Sequence, residues 1–130
     1  MRVEVIQVLA PSHEFVRFEC DSGTASGRWM GLGPAELGQF DVEIEVPEEV
    51  AEWTAVPSGD TSISGGVGRG HAANMVCRVL GFDEGDDSVV GVRVGLDIIL
   101  IEILNRRSEI PLGGLISFRT PEIQIYPYDL

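Results

Sequence analysis

The chain has 130 residues, of which 44% are apolar and 23% charged, a balance typical of one folded globular domain. It carries 21 acidic residues against nine basic ones, all arginine, for a net charge of −12. This charge disfavours nucleic acids and anionic membranes, which would repel the protein, and it favours basic partners.

Arg2–Leu9 has apolar residues on both alternate faces and predicts a first strand. Glu4 and Gln7 interrupt it, so it lacks the apolar core of a signal peptide. No run reaches the roughly 18 apolar residues of a membrane span. We therefore expect a cytoplasmic protein, and we ascribe the absence of lysine to codon bias in a GC-rich bacterial genome.

Phe15–Cys20 alternates apolar and polar residues and predicts a second strand, followed by a turn and a return strand that contains Arg28 and Trp29. Two interpretations of this Arg–Trp pair stay open. Either Trp29 plugs one end of a barrel, or the two side chains form an exposed pair of the kinds enriched at interface hot spots. Residues 34–37 could add a single helical turn.

Residues 40–46 form the clearest predicted strand. One face carries Phe40, Val42, Ile44 and Val46, and the other carries Asp41, Glu43 and Glu45. Pro47 ends the strand and can begin a short helix over residues 48–53, whose acidic residues, Glu48 and Glu49 among them, suit a helix start. The carboxylate row is either a solvated edge that repels other strands or a surface for a cationic partner.

Residues 57–71 contain five glycines and three serines, and their composition predicts a flexible Gly/Ser-rich loop. A phosphate-binding loop is disfavoured because no Lys-Ser/Thr pair follows the glycines. His13 and His71 have no ligand at metal-binding spacing, and the acidic turn at residues 83–87 lacks the spacing of a calcium loop. We expect no catalytic site, metal or cofactor.

Residues 74–82 predict a strand that forms a hairpin with residues 89–104, the longest apolar run. At period two, one face of that run carries Val90, Val92, Val94, Leu96, Ile98 and Leu100. The pattern shifts after Asp97, where isoleucines occupy the other face. Sixteen extended residues would reach roughly 50 Å, beyond the roughly 35–40 Å diameter of such a domain. The run therefore bends strongly or divides into two strands, and we favour a bent strand over a helix from residue 96 to 105.

Near the C-terminus, residues 115–119 predict a short strand, and residues 122–130 alternate and include Tyr126 and Tyr128. These tyrosines belong either to an ordinary edge strand or to a patch where a second chain docks. Cys20 and Cys77 lie among apolar residues, which favours two buried thiols over a disulfide.

Together these elements predict a single all-β domain over residues 1–130, a small closed or nearly closed antiparallel barrel with one short helix. An OB-like barrel comes first, and an SH3-like barrel or a small sandwich second. For function, we expect a non-enzymatic acidic binding protein, of the inhibitor or immunity type, that meets a basic partner protein. The predicted contact residues are Asp41, Glu43, Glu45, Glu48, Glu49, Arg28, Trp29, Tyr126 and Tyr128.

Two other functions stay open. One is a barrel that binds a small ligand, with residues 57–71 as a lid and Trp29 in the pocket. The other is a structural subunit of a homo-oligomer, which would use the surfaces of residues 99–104 and 126–130. Single-stranded nucleic acid ranks last, because it requires a basic groove.

Overall fold

The computed structural model describes residues 1–9, 14–65, 70–85 and 88–128. Strand makes up 58% of this structure and helix 3%, which confirms the all-β prediction. The strands are β1 (Arg2–Leu9), β2 (Phe15–Cys20), β3 (Gly23–Trp29), β4 (Gly38–Glu45), β5 (Trp53–Val56), β6 (Ser62–Gly65), β7 (Ala73–Phe82), β8 (Val89–Val94), β9 (Asp97–Glu102), β10 (Leu115–Thr120) and β11 (Gln124–Pro127).

Five of these strands close a barrel in the order β1-β2-β3-β11-β4, and β4 pairs again with β1. The OB-like prediction is confirmed in this closed five-stranded arrangement. The barrel is mixed rather than antiparallel, because β3 and β11 run parallel. No hairpin joins these two strands: the chain passes through β4 to β10 first, and such a long crossover permits parallel pairing.

The other six strands extend the sheet from the start of β3. There, β6 pairs parallel with β3 and antiparallel with β7. The first part of β7 pairs with β10, which pairs with β5, and the last part pairs with β8 and so leads to β9. One sheet therefore connects the barrel to the β8–β9 hairpin.

Alternate residues of each strand point into one apolar cluster. Inside the barrel this cluster includes Val5, Val16, Phe18, Val42 and Ile125, each at most 1% exposed. The barrel interior is therefore a packed core, and the surfaces available to a partner lie on its outer wall and on the added strands.

Residues 89–104 are extended, as predicted, but they form a hairpin rather than one bent strand. Gly95 and Leu96 make the two-residue turn, in which Val94 pairs with Asp97. Gly95 has a φ of 59°, a value that glycine adopts without strain at the first position of such turns.

The hairpin also decides which residues of this segment are buried. Residues paired across antiparallel strands point to the same face, so Ile99 and Ile101 join Val92 and Val90 in the core. The expectation that Leu96, Ile98 and Leu100 share the face of Val90 is therefore wrong: they are 94%, 67% and 60% exposed.

The short helix predicted for residues 48–53 is wrong, and residues 34–37 are not helical either. Within the described part of the chain, helix occurs only as a 3₁₀ turn at Arg107–Glu109. Trp53 instead begins β5, pairs with Phe118 and is 4% exposed. Its indole nitrogen donates to the carbonyl of Asn105 at 3.3 Å, and the Arg106 guanidinium lies 4.4 Å from the ring centroid. These contacts outweigh the local helix signals.

The prediction of one flexible loop over residues 57–71 is wrong for its centre, which contains β6. Ile63 is 1% exposed, and strands pair with β6 on both sides. One buried side chain and main-chain pairing are enough for a four-residue strand, and composition does not reveal either. Residues 66–69 lie outside the described residues.

Cys20 and Cys77 are free thiols, and burial raises the pKa of Cys77 to about 12. None of the helical segments in the described residues has the length and apolar character to span a bilayer.

The close approach of β3 and β6 gives a stability prediction. Gly23 has a φ of 139°, and a Cβ there would overlap the carbonyl oxygen of Ile63. We expect Gly23→Ala to lower the free energy of unfolding by about 2 kcal/mol or more. The control is Gly91→Ala, where the nearest atom would lie 3.8 Å from the new Cβ, and stability should be unchanged or rise by up to about 1 kcal/mol. Urea denaturation measures both, and equal losses in the two variants would contradict this account of β6.

Candidate functional site

A row of carboxylates lies on the outer wall of the barrel. Asp41, Glu43 and Glu45 alternate along β4 and are exposed, while Val42 and Ile44 between them are buried. β1 pairs with residues 38–41 of β4, and β11 pairs with residues 42–45. Glu43 and Glu45 therefore lie on the end of β4 that extends past the start of β1, where the edge-protection interpretation still applies to them.

Little positive charge offsets this row. Arg2 Nη1 lies 3.2 Å from Asp41 Oδ2, but both side chains are more than half exposed, so the pair contributes little. Within the described residues, no ion pair involves Glu43 or Glu45, nor the exposed Glu48 and Glu49 that follow. The wall is thus a locally negative surface held on a rigid strand.

The β4 wall borders a groove of about 600 Å³, whose other wall is β9. Its lining includes Glu43, Glu45, Asp97, Ile98, Leu100 and Tyr128. One end is closed by the ammonium of Met1, which lies 2.9 Å from both Asp97 Oδ1 and the carbonyl of Val42. At the other end, Val50 N donates to the carbonyl of Glu102 at 2.8 Å.

The tyrosines predicted as contact residues lie beside the row. Tyr126 pairs with Glu43 across β11 and β4, so the two share the outer face, and its hydroxyl donates to Gln124 Oε1 at 2.9 Å. Tyr128 lines the groove and is 53% exposed. Loss of hydration there, together with the negative charge of Glu43, raises the pKa of the Tyr128 hydroxyl.

Arg28 lies apart from this surface, in a polar cluster. Its Nε and Nη2 donate to the two carboxylate oxygens of Glu122, both at 3.0 Å, and its Nη1 donates to Glu14 at 3.0 Å. The guanidinium also lies 4.5 Å from the centroid of the Phe15 ring. These contacts occupy the donors of Arg28 inside the protein, and its hydrogen bonds hold the pKa of Glu122 below its usual value.

Trp29 packs against the core and meets Phe40 edge to face, with ring centroids 5.1 Å apart. These contacts engage the indole inside the protein and leave open whether it covers one end of the barrel.

A Ser–His contact, which no sequence pattern predicted, lies next to the Arg28 cluster. His71 stacks on Phe15 with ring centroids 3.6 Å apart, and its Nδ1 lies 3.2 Å from Ser26 Oγ. Ser26 is fully buried, so its hydroxyl is out of reach of a substrate. The contact therefore ties the start of β7 to β3, and its partners are 45 residues apart in the sequence.

The other motifs give no site in the part of the chain that the structure describes. Within residues 1–9, 14–65, 70–85 and 88–128, no group of three His, Cys, Asp or Glu side chains could hold a metal ion. His13, most of the glycine-rich segment (66–69) and two residues of the acidic turn (86–87) lie outside the described residues.

The groove itself was not predicted, because its walls are more than 50 residues apart in the sequence. A usable signal was present in the pattern shift at Asp97. If read as a hairpin, that shift places Ile98 and Leu100 outside the core.

The chain was also compared with known proteins. No protein-family model matches it, and searches of curated proteins and of solved structures give no significant match.

The Arg28–Glu122 pair predicts a pH dependence. Because the folded state lowers the pKa of Glu122 below 4.5, the pair stabilises the protein above about pH 4.5, and this contribution is lost as the pH falls through the lowered value. We expect Arg28→Gln to be less stable than the wild type at pH 7 and the difference to shrink as the pH falls below 4.5.

Urea unfolding of both proteins at several pH values measures this difference. Arg2→Gln is the matched control, since it removes the exposed pair with Asp41 and should change stability by less than about 0.5 kcal/mol. A wild-type advantage over Arg28→Gln that persists at a pH low enough to protonate Glu122 in the folded protein would show that the ion pair is not its source.

Proposed function

We propose that this protein is a non-enzymatic, cytoplasmic binding protein whose acidic wall meets a basic partner protein, in the manner of an inhibitor or immunity protein. The supporting observation is the exposed row of Asp41, Glu43 and Glu45 on β4, in which only Asp41 has an ion-pair partner among the described residues, and which continues through Glu48 and Glu49. In an inhibitor, these carboxylates would take the place of the partner's anionic substrate.

Binding suits this row better than acid–base catalysis does. Catalytic carboxylates need an enclosed site that shifts their pKa values, whereas these side chains are exposed on an open wall. Like charges on one surface add their potentials, so they raise the rate at which a cationic partner arrives. The buried alternate residues of β4 fix the strand, so the encounter has to order the exposed side chains but not the backbone.

The groove beside the wall supports a second candidate, a small-ligand site. Its volume of about 600 Å³ is within the range of ligand pockets. This groove is not the ligand site predicted from the sequence, which had Trp29 in the pocket and residues 57–71 as a lid. Trp29 instead packs on Phe40, and β6 occupies the centre of the expected lid. A ligand in this groove would raise the melting temperature by mass action, so a thermal-shift screen of metabolites tests it.

Part of the surface predicted to contact a second copy in a homo-oligomer is buried in the core. Ile99, Ile101 and Ile103 are at most 3% exposed, which leaves Leu100 and Leu104 as the apolar side chains of residues 99–104 that a second chain could contact.

The proposal predicts how the partner responds to charge reversal. The partner is first isolated from a lysate of the source cells on the tagged wild-type protein. Its association rate is then measured with Glu43→Arg/Glu45→Arg, which should bind at least tenfold more slowly and with a weaker salt dependence.

The control is Glu4→Arg/Glu19→Arg, which makes the same change in net charge on β1 and β2. If both variants slow association equally, only the total charge matters and the wall is not the contact surface. If neither slows it, or if the partner is acidic, the proposed function is wrong.

A further inference from the structure

The wall of the groove formed by β9 is an open strand edge. β9 pairs with β8 on one side only. Ile103 N donates to the carbonyl of Ser88 at 2.9 Å, so odd-numbered residues in this register direct their main-chain groups at β8. The even-numbered residues direct theirs the other way, and the bond from Val50 N to the carbonyl of Glu102 agrees with this.

Ile98 and Leu100 therefore present main-chain N–H and C=O groups on the groove side. No hydrogen bond to these groups from another described residue is found. An open edge of this kind is a template for another strand. The side chains of Ile98 and Leu100 are more than half exposed, so an added strand would also cover apolar surface.

The charge around this edge selects the kind of strand that fits. Glu43, Glu45 and Asp97 all line the same groove. A second copy of this chain, at a net charge of −12, would bring further carboxylates to these three. A strand with cationic side chains at alternate positions instead places opposite charges along the groove while its main chain pairs with β9.

We propose that an extended, arginine- or lysine-bearing segment of a partner protein adds to the open edge of β9. Its main chain pairs with Ile98 and Leu100, and its cationic side chains lie against Glu43 and Glu45. This inference rests on the proposed function and specifies the partner's recognised element. The bond between Val50 and Glu102 closes the far end of the edge, so the paired segment is short.

The probe is a capped heptapeptide of alternating arginine and valine, measured by fluorescence polarisation. Alternate residues of a strand direct their N–H groups to the same edge. N-methylation of either all arginines or all valines therefore blocks one edge of the peptide only. We expect one of these two peptides to bind at least tenfold more weakly than the parent and the other to bind like the parent.

The protein side has its own pair of variants. Ile98→Pro removes the outward N–H at an edge position where proline is tolerated, and Ile98→Val keeps it. We expect Ile98→Pro to lose at least tenfold in peptide affinity and Ile98→Val to retain it. Thermal unfolding identifies any loss due to misfolding, and the N-methylated peptides do not depend on that variant.

The outcomes separate this inference from the proposed function. Binding that requires Glu43 and Glu45 but ignores both N-methylation and Ile98→Pro overturns strand addition and keeps the acidic contact surface. No binding of the parent peptide, or equal binding when glutamate replaces its arginines, overturns the inference itself. Light scattering that shows a dimer lost in Ile98→Pro would assign the edge to a second copy, which also overturns it.

Discussion

The pairing of Val94 with Asp97 across the Gly95–Leu96 turn decides which side chains of the β8–β9 hairpin lie in the core and which are exposed. Because paired residues of antiparallel strands share a face, this register places Ile99 and Ile101 in the core with Val92 and Val90. A slip of one residue would exchange every side chain of β9 between core and solvent. The register therefore leaves Ile98 and Leu100 outside, next to an open main-chain edge, and it aligns that edge with the carboxylates of β4.

Barrel closure holds the other wall in place. β4 is fixed on one side by β1 and on the other by β11, and its inward side chains are buried. The carboxylates of Asp41, Glu43 and Glu45 thus stay in a regular row despite their mutual repulsion, since the core packing behind them is worth more than the repulsion between hydrated charges costs. In the proposed function, a partner would meet a surface whose backbone needs no ordering, which favours fast, electrostatically steered binding.

Much of the fold could be predicted where local pattern and final environment agree. The alternation of residues 40–46 predicted β4 and its acidic face, and the apolar run of residues 89–104 predicted extended chain. The predictions failed where long-range contacts decided the structure. Burial of Ile63 made a strand inside a glycine-rich segment, and the burial of Trp53 against Asn105 and Arg106 replaced a helix that local signals favoured. The groove and the Ser26–His71 contact were unpredictable for the same reason, since each joins residues at least 45 positions apart and no local period encodes which strands become neighbours.

The sequence left open whether the acidic row protects an edge or attracts a partner, and the structure makes these two roles compatible. Glu43 and Glu45 lie on the end of β4 that extends past β1, and they face the open edge of β9 across the groove. Natural sheets use charge in this way because a like-charged strand is repelled before its main chain can pair. The same field admits a strand of opposite charge. In the proposed binding mode, one set of carboxylates would both repel further copies of this chain and attract a cationic segment, so protection from aggregation and choice of partner would follow from the same charges.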